Sequence, residues 1–156
     1  MEEIVNVRII NLKCLEQNNQ EMVITANSNK LTLNASRPND ENQQWCLIPN
    51  LVRGAKSGGY TLLNKGRNLC AFQPVSRDQV RLNDDPTPYG DAPYCWTLWP
   101  AGTFNGEQVW AIQSYDRGDA MNAEGNSSSC DENTRVLFWP WGGGTSNEKW
   151  IIQRIN

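Results

Sequence analysis

Short runs in which apolar and polar residues alternate, each closed by Asn, Gly, Pro or Ser, recur along the chain. Alternation puts every second side chain on one face, which is the pattern of half-buried strands. The first set reads IVNVRIINL, EMVITAN, KLTLNAS and QQWCLIPNL. The second reads GYTLLN, NLCAFQP, QVRLND and YCWTLWP, and the third QVWAIQSY, DAMNAEG, TRVLFWPW and EKWIIQRI. No window carries apolar residues at i, i+3, i+4 and i+7 over three turns, so the pattern predicts strands throughout and no helix.

The last run of each set carries a tryptophan with an apolar partner two residues on: Trp45 with Leu47, Trp96 with Leu98, Trp150 with Ile152. Residues two apart share a strand face. The three indoles are 51 and 54 residues apart, so one structural position recurs three times. Each would bury on the order of 200 Å², with the pairs meeting near a pseudo-three-fold axis. Twelve strands in three sets of four predict an all-β chain with a β-trefoil architecture. The expectation is a single domain over residues 1–156, with repeats at approximately 1–50, 51–100 and 101–156. Trp99, Trp110, Trp139 and Trp141 fall off the core register and need another explanation.

Composition narrows the function. A chain of 156 residues can bury roughly 70% of its unfolded surface and fold without staples. No stretch approaches the ~20 apolar residues of a membrane span, so a soluble protein without membrane insertion is expected. The start, MEEIVNVRII, has neither the basic nor the apolar segment of a signal peptide. The net charge of −3 and pI near 5.0, with only isolated cations such as Arg53, Lys56, Lys65 and Arg67, argue against nucleic acid as a partner. Cys14, Cys46, Cys70, Cys95 and Cys130 form no CxxC pair and the chain has no histidine, so neither a metal site nor a cofactor is expected. Cys46 and Cys95 adjoin repeat tryptophans and read as small buried core residues rather than disulfide partners.

Gln43-Gln44-Trp45 is a Gln-x-Trp triplet preceded by Asn42, and Asn147-Glu148-Lys149-Trp150 is its near copy. With three tryptophans at this spacing, the chain resembles the ricin B-type lectins, β-trefoils that bind sugars. The resemblance implies a site within one repeat: an acid or amide at the end of the second strand, an aromatic closing the third, and an Asn just before the triplet. An aromatic face stacks on the less polar face of a pyranose while amides and carboxylates hydrogen-bond its hydroxyls. By this resemblance the third repeat fits best, with Asn122 as the polar anchor and Trp139 as the stacking aromatic. Asn147 is the amide, Glu148 stands where Gln is usual, Trp141 forms a second wall and Gly142-Gly143-Gly144 an adaptable rim, with Gly125 a further candidate. Asn122 replaces the family's usual Asp. The first repeat keeps Asn42 and Gln43 but closes its third strand with Leu33-Asn34-Ala35, so Asn34, Asn42 and Gln43 are weaker candidates. The second repeat has Ala92-Pro93-Tyr94 before Trp96 and Ala71 near the anchor position, leaving only an unconventional site around Tyr89 or Tyr94. Cross-linking would then need a homodimer. Cysteine pairs common within the family's repeats are missing, which agrees with a reduced cytoplasmic protein or one released by a non-classical route.

The expected partners are therefore glycans or glycoproteins of galactose or N-acetylgalactosamine type. Catalysis is not expected, since Glu124, Asp131 and Glu132 share one region without a fixed partner across a cleft. Arg117-Gly118-Asp119 reads as a turn with Gly118 at positive φ rather than an adhesion motif. Asn126-Ser127-Ser128 matches the glycosylation pattern but is expected to be unused without a leader. The rival reading is a protein-interaction trefoil, a protease inhibitor or a non-toxic component of a toxin complex, using its long loops with Trp99 or Tyr89 as anchors.

Overall fold

The computed structural model describes residues 4–50, 59–84, 92–114, 116, 118–125 and 130–155. Within them the twelve alternating runs form twelve strands. The first repeat holds β1 (Val5–Asn11), β2 (Met22–Asn27), β3 (Lys30–Ala35) and β4 (Trp45–Pro49). The second holds β5 (Gly59–Asn64), β6 (Leu69–Phe72), β7 (Arg81–Asn83) and β8 (Trp96–Phe104). In the third are β9 (Glu107–Gln113), β10 (Asp119–Ala123), β11 (Thr134–Pro140) and β12 (Trp150–Arg154).

The first and fourth strands of each repeat pair around a closed ring, β1–β4–β5–β8–β9–β12 and back to β1, every pairing antiparallel. Closure removes the exposed edges that an open sheet would leave. The second and third strands form three hairpins that cap one end and touch one another through Lys30↔Arg81, Thr134↔Leu33 and Gln79↔Leu137. Leu31, Val80 and Val136, fully buried, meet where the hairpins converge: Leu31 N donates to Val80 O and Val80 N to Val136 O. This is the β-trefoil that the strand count predicts.

The three tryptophans occupy equivalent places. Trp45, Trp96 and Trp150 are buried, and their indole nitrogens donate to the carbonyls of Ile24, Ala71 and Met121 at 3.0, 3.1 and 3.1 Å. Each bond ties the fourth strand of a repeat to its second, the barrel to its cap. Their partners Leu47, Leu98 and Ile152 line the barrel's open end together with Tyr60 and Trp110, around a cavity of about 390 Å³. Trp110, one of the off-register tryptophans, is thus a barrel-mouth residue.

Three expectations need correction. A helix does occur: α1, Leu12–Asn18, follows β1. Asn11 accepts from the Cys14 N–H at its start and Asn19 closes it in the left-handed conformation. Local capping stabilises two turns that are too short to carry an apolar period over three. Second, Cys14 and Cys130 form a disulfide, with Cα atoms 5.5 Å apart and a separation of 116 positions in sequence. The bridge joins repeat one to repeat three rather than stapling a single repeat, and distance in sequence hid it. Cys46, Cys70 and Cys95 are thiols, Cys70 and Cys95 buried and Cys46 half-buried. Third, the turn before β10 does not rest on glycine alone. The turn is closed by Asp116, whose carboxylate accepts from Gly118 N and from the Ser114 hydroxyl. Those hydrogen bonds hold the Asp116 carboxyl below the ordinary aspartate value. Arg117, Asn126 to Ser128 and Tyr89 lie outside the described residues.

Two stability predictions follow from this architecture. Trp96→Phe keeps the aromatic bulk but orphans the Ala71 carbonyl and leaves a void. It should lower the unfolding free energy by about 2–3 kcal/mol in a urea titration. Reduction of the Cys14–Cys130 bridge, or Cys14→Ser with Cys130→Ser, should remove roughly 2–4 kcal/mol. At ~2–4 °C per kcal/mol for a chain of this size, the thermal midpoint should fall by about 5–15 °C. An unchanged midpoint in reductant would contradict the bridge.

Candidate functional site

Alternation in β10 and β11 divides the third repeat's hairpin into two faces. Met121, Ala123, Val136 and Phe138 enter the core, while Asn122, Leu137 and Trp139 line an outer cavity of about 460 Å³. The register Ala120↔Trp139 and Asn122↔Leu137 sets the indole two residue pairs along from the amide, on the same face of the hairpin. A 3-10 turn at Ser146–Glu148 then brings Asn147 onto the same cavity.

Asn122 and Asn147 meet directly: Asn147 Nδ2 donates to Asn122 Oδ1 at 3.0 Å and to Ala123 O at 3.1 Å. Thr145 Oγ1 donates to Asn147 Oδ1 at 2.6 Å. Both amides are therefore held in fixed orientations. Gly125 also lines the cavity, and a Cβ there would stand 2.9 Å from Asn147 Nδ2, so a larger residue would push that amide out of its place.

Glu148 sits beneath this layer rather than in it. It is 2% exposed, and its carboxylate accepts from Gly142 N at 3.0 Å, Thr145 Oγ1 at 3.3 Å and Asn122 Nδ2 at 3.4 Å. Gln43 plays the matching part in repeat one, fully buried, accepting from Arg37 N and donating to Ala35 O and Thr25 Oγ1. Both residues brace the site and are too enclosed to touch a ligand. The Gly142 contact requires the chain to double back. Gly143 and Gly144 do this at φ of 90° and 120°, conformations that side-chain-bearing residues rarely adopt. Trp141 does not line the cavity; its backbone N–H donates to Gly118 O.

Three charged residues complete the lining, none of them at a motif position. Glu124 and Arg135 form a two-bond ion pair, Nε to Oε2 at 3.0 Å and an Nη to Oε1 at 2.6 Å. Hydrogen bonds from Arg135 hold the Glu124 carboxyl below the ordinary glutamate value, so both stay charged near neutral pH. Arg77 comes from the second repeat. Its guanidinium carbon lies 4.6 Å from the centroid of the Trp139 ring. The Glu124–Arg135 pair is legible once the register of β10 on β11 is known. Arg77 has no local signal, because it reaches the site from another repeat.

The weaker candidates are also placed. Asn34 and Asn42 share a polar cleft of about 300 Å³ with Arg37, Asp40 and Arg67. Among the described residues no aromatic lines it, and Asn34 is buried against Thr32 and the Asn133 loop of repeat three, whichever way its amide is turned. In repeat two, Tyr94 holds the position of Gln43 and Glu148. It is 5% exposed, packs edge-on against Phe72 at 5.3 Å, and donates to Asp84 O. That aromatic plug fills the volume where the other repeats keep polar groups. Among the described residues, no three Cys, Asp or Glu side chains gather as a metal ion would require.

No protein-family model matches the chain, and no curated protein sequence does. Solved structures do match. The designed three-fold symmetric protein ThreeFoil aligns at TM-score 0.69 and 16% identity, over 96% of this chain and 99% of that one. The Rhizoctonia solani agglutinin aligns at TM-score 0.67 and 16% identity, over 99% and 98%. A mosquitocidal holotoxin aligns at TM-score 0.72 and 16% identity, over all of this chain but 18% of the toxin. At such identities the likeness is one of fold, and the fold is the β-trefoil.

The bracing role assigned to Glu148 is testable. Glu148→Ala strands the Gly142 N–H and frees Asn122, and should cost about 1–3 kcal/mol in chemical unfolding. Glu148→Gln, which restores the residue used in repeat one, should cost clearly less.

Proposed function

We propose that the protein is a carbohydrate-binding lectin whose main site is the outer cavity of the third repeat. The observation that carries this reading is the meeting of a half-buried indole, Trp139, with two mutually fixed amides, Asn122 and Asn147, around one cavity. An aromatic surface beside a small number of oriented polar groups is what a pyranose needs: burial for its C–H face and directional partners for its hydroxyls. The amides are already ordered by their neighbours, so binding would not have to freeze them.

The ligand class follows from the resemblance to ricin B-type lectins and from this chemistry: glycans ending in galactose or N-acetylgalactosamine. One such site per chain would bind modestly, and agglutination would require a homodimer to present two. The absence of an aromatic in the first-repeat cleft and the Tyr94 plug in the second support a single principal site.

A second reading has its own observation. Trp99 is 50% exposed on β8, in the long β8–β9 hairpin, where an indole can anchor a protein partner. The two readings separate under substitution. In a glycan array followed by calorimetry, Trp139→Ala should lower sugar affinity at least tenfold, from a loss of about 1.5–3 kcal/mol of burial and stacking. Trp99→Ala should leave sugar affinity intact. An array without binding, together with a protein partner lost on Trp99→Ala, would favour the interaction protein.

A further inference from the structure

We infer that Arg77 makes this site selective for glycans carrying an anionic group, a carboxylate or a sulfate ester. The inference rests on the glycan-binding reading of the third-repeat cavity.

Arg77 is held in place more firmly than an exposed arginine usually is. Its backbone takes φ of 79°, in the left-handed region where a non-glycine residue is strained. Flanking hydrogen bonds maintain it: Arg77 N donates to Phe138 O at 2.6 Å, Phe138 N to Asp78 O at 2.8 Å, and Val80 N to Val136 O at 2.9 Å. The bridge Gln79↔Leu137 lies between them. The 77–80 segment of repeat two is thus laid along β11, and its first residue is fixed next to Trp139. The side chain then rests on the indole, 4.6 Å from the ring centroid, and lines the cavity.

The charges around the cavity are unevenly matched. Arg135 is neutralised by Glu124 through two hydrogen bonds. The buried Glu148 carboxylate is met by Gly142 N–H, Thr145 Oγ1 and Asn122 Nδ2. Asp78, beside Arg77 in sequence, faces Arg81 at 3.9 Å, and Asp119 accepts from Ser76 Oγ. Arg77 has no carboxylate within ion-pair distance among the described residues. A chain of net charge −3 therefore presents one uncompensated guanidinium at the edge of its candidate sugar site.

A guanidinium stacked on an aromatic ring keeps its in-plane N–H donors available, and these match the two oxygens of a carboxylate or sulfate. Stacking also limits the rotamers that would otherwise be lost on binding. A neutral glycan can use Trp139, Asn122 and Asn147; an acidic one gains Arg77 in addition. The guanidinium lies 4.6 Å from the centroid of the ring proposed to hold the sugar, so the anion would be a substituent on the glycan or its next residue.

The test compares N-acetyllactosamine with its sialylated and its 3-O-sulfated forms, by calorimetry on wild type, Arg77→Gln and Arg77→Lys, with thermal midpoints confirming that each variant folds. Wild type should bind at least one acidic form about tenfold more tightly than the neutral parent, as one charged hydrogen-bonded contact implies. Which form gains identifies carboxylate or sulfate as the anion read. The ratio should collapse to near unity in Arg77→Gln, persist in reduced form in Arg77→Lys, and shrink in wild type as salt rises. A wild type that binds all three alike, with binding lost on Trp139→Ala, would overturn the role of Arg77 and leave the glycan site standing. So would a preference that survives Arg77→Gln, or one lost equally in Arg77→Lys. Binding to none of the three, nor to any other glycan, would overturn both.

Discussion

The architecture depends on one interaction made three times, the hydrogen bond from a buried indole to a carbonyl in the second strand of its own repeat. Trp45, Trp96 and Trp150 each fill space between barrel and cap and at the same time tie the fourth strand to Ile24, Ala71 and Met121. Without the N–H, the bulk could still pack, but a backbone acceptor in the interior would go unpaired. The bond also fixes geometry beyond itself. Because it anchors the tryptophan at a set height on the second strand, the residue two positions before it must lie against the start of the outer cleft.

That position holds Gln43, Tyr94 and Glu148, and its occupant sets the character of the three clefts. A buried amide or carboxylate must find hydrogen-bond partners. Gln43 and Glu148 do so by gathering the chain after the third strand, at Arg37 N and Gly142 N respectively. The gathered chain stands as a wall, and a cleft remains between it and the second strand. Tyr94 has the opposite effect: its ring packs edge-on against Phe72, an apolar contact where the other two repeats place hydrogen-bonded polar groups. Two polar braces and one aromatic plug thus turn a symmetric scaffold into an asymmetric surface.

Much of the fold was legible because it rests on alternation and repetition, which survive in a single sequence. All twelve strand runs and the burial of the three repeat tryptophans follow from period-two patterning and turn residues. Asn122, Gly125, Trp139 and Asn147 were legible by motif and share one cavity, whereas the motif also marks Gln43 and Glu148, which act from below it. Three kinds of feature were not legible. The helix after β1 is made by two caps, Asn11 and Asn19, over too few residues to show a period. The Cys14–Cys130 bridge joins positions 116 residues apart, and nothing local couples them. Arg77 belongs to the second repeat by sequence and to the third by position. Long-range partners of this kind need the register between hairpins, which no window along the chain contains.

The same cross-repeat arrangement appears at the weaker cleft. There Glu132 and Asn133 of repeat three lean on repeat one: Glu132 accepts from Ala35 N and faces Arg37, and Asn133 bonds Asn34. Cys130, at the start of that segment, is bridged to Cys14. In both cases a residue at or near the end of the third strand, Trp139 or Asn34, is covered by a neighbouring repeat, because the three hairpins of the cap touch in a ring. What the neighbour delivers then differs. At Trp139 it is a cation over an aromatic surface, which leaves N–H donors to offer. At Asn34 it is an amide and a carboxylate that consume the polar groups they meet. A trefoil site is usually described as the property of one repeat, but here its chemistry is set by the contact between two. The second repeat, whose own cleft position is taken by Tyr94, supplies Arg77 to the cavity of the third.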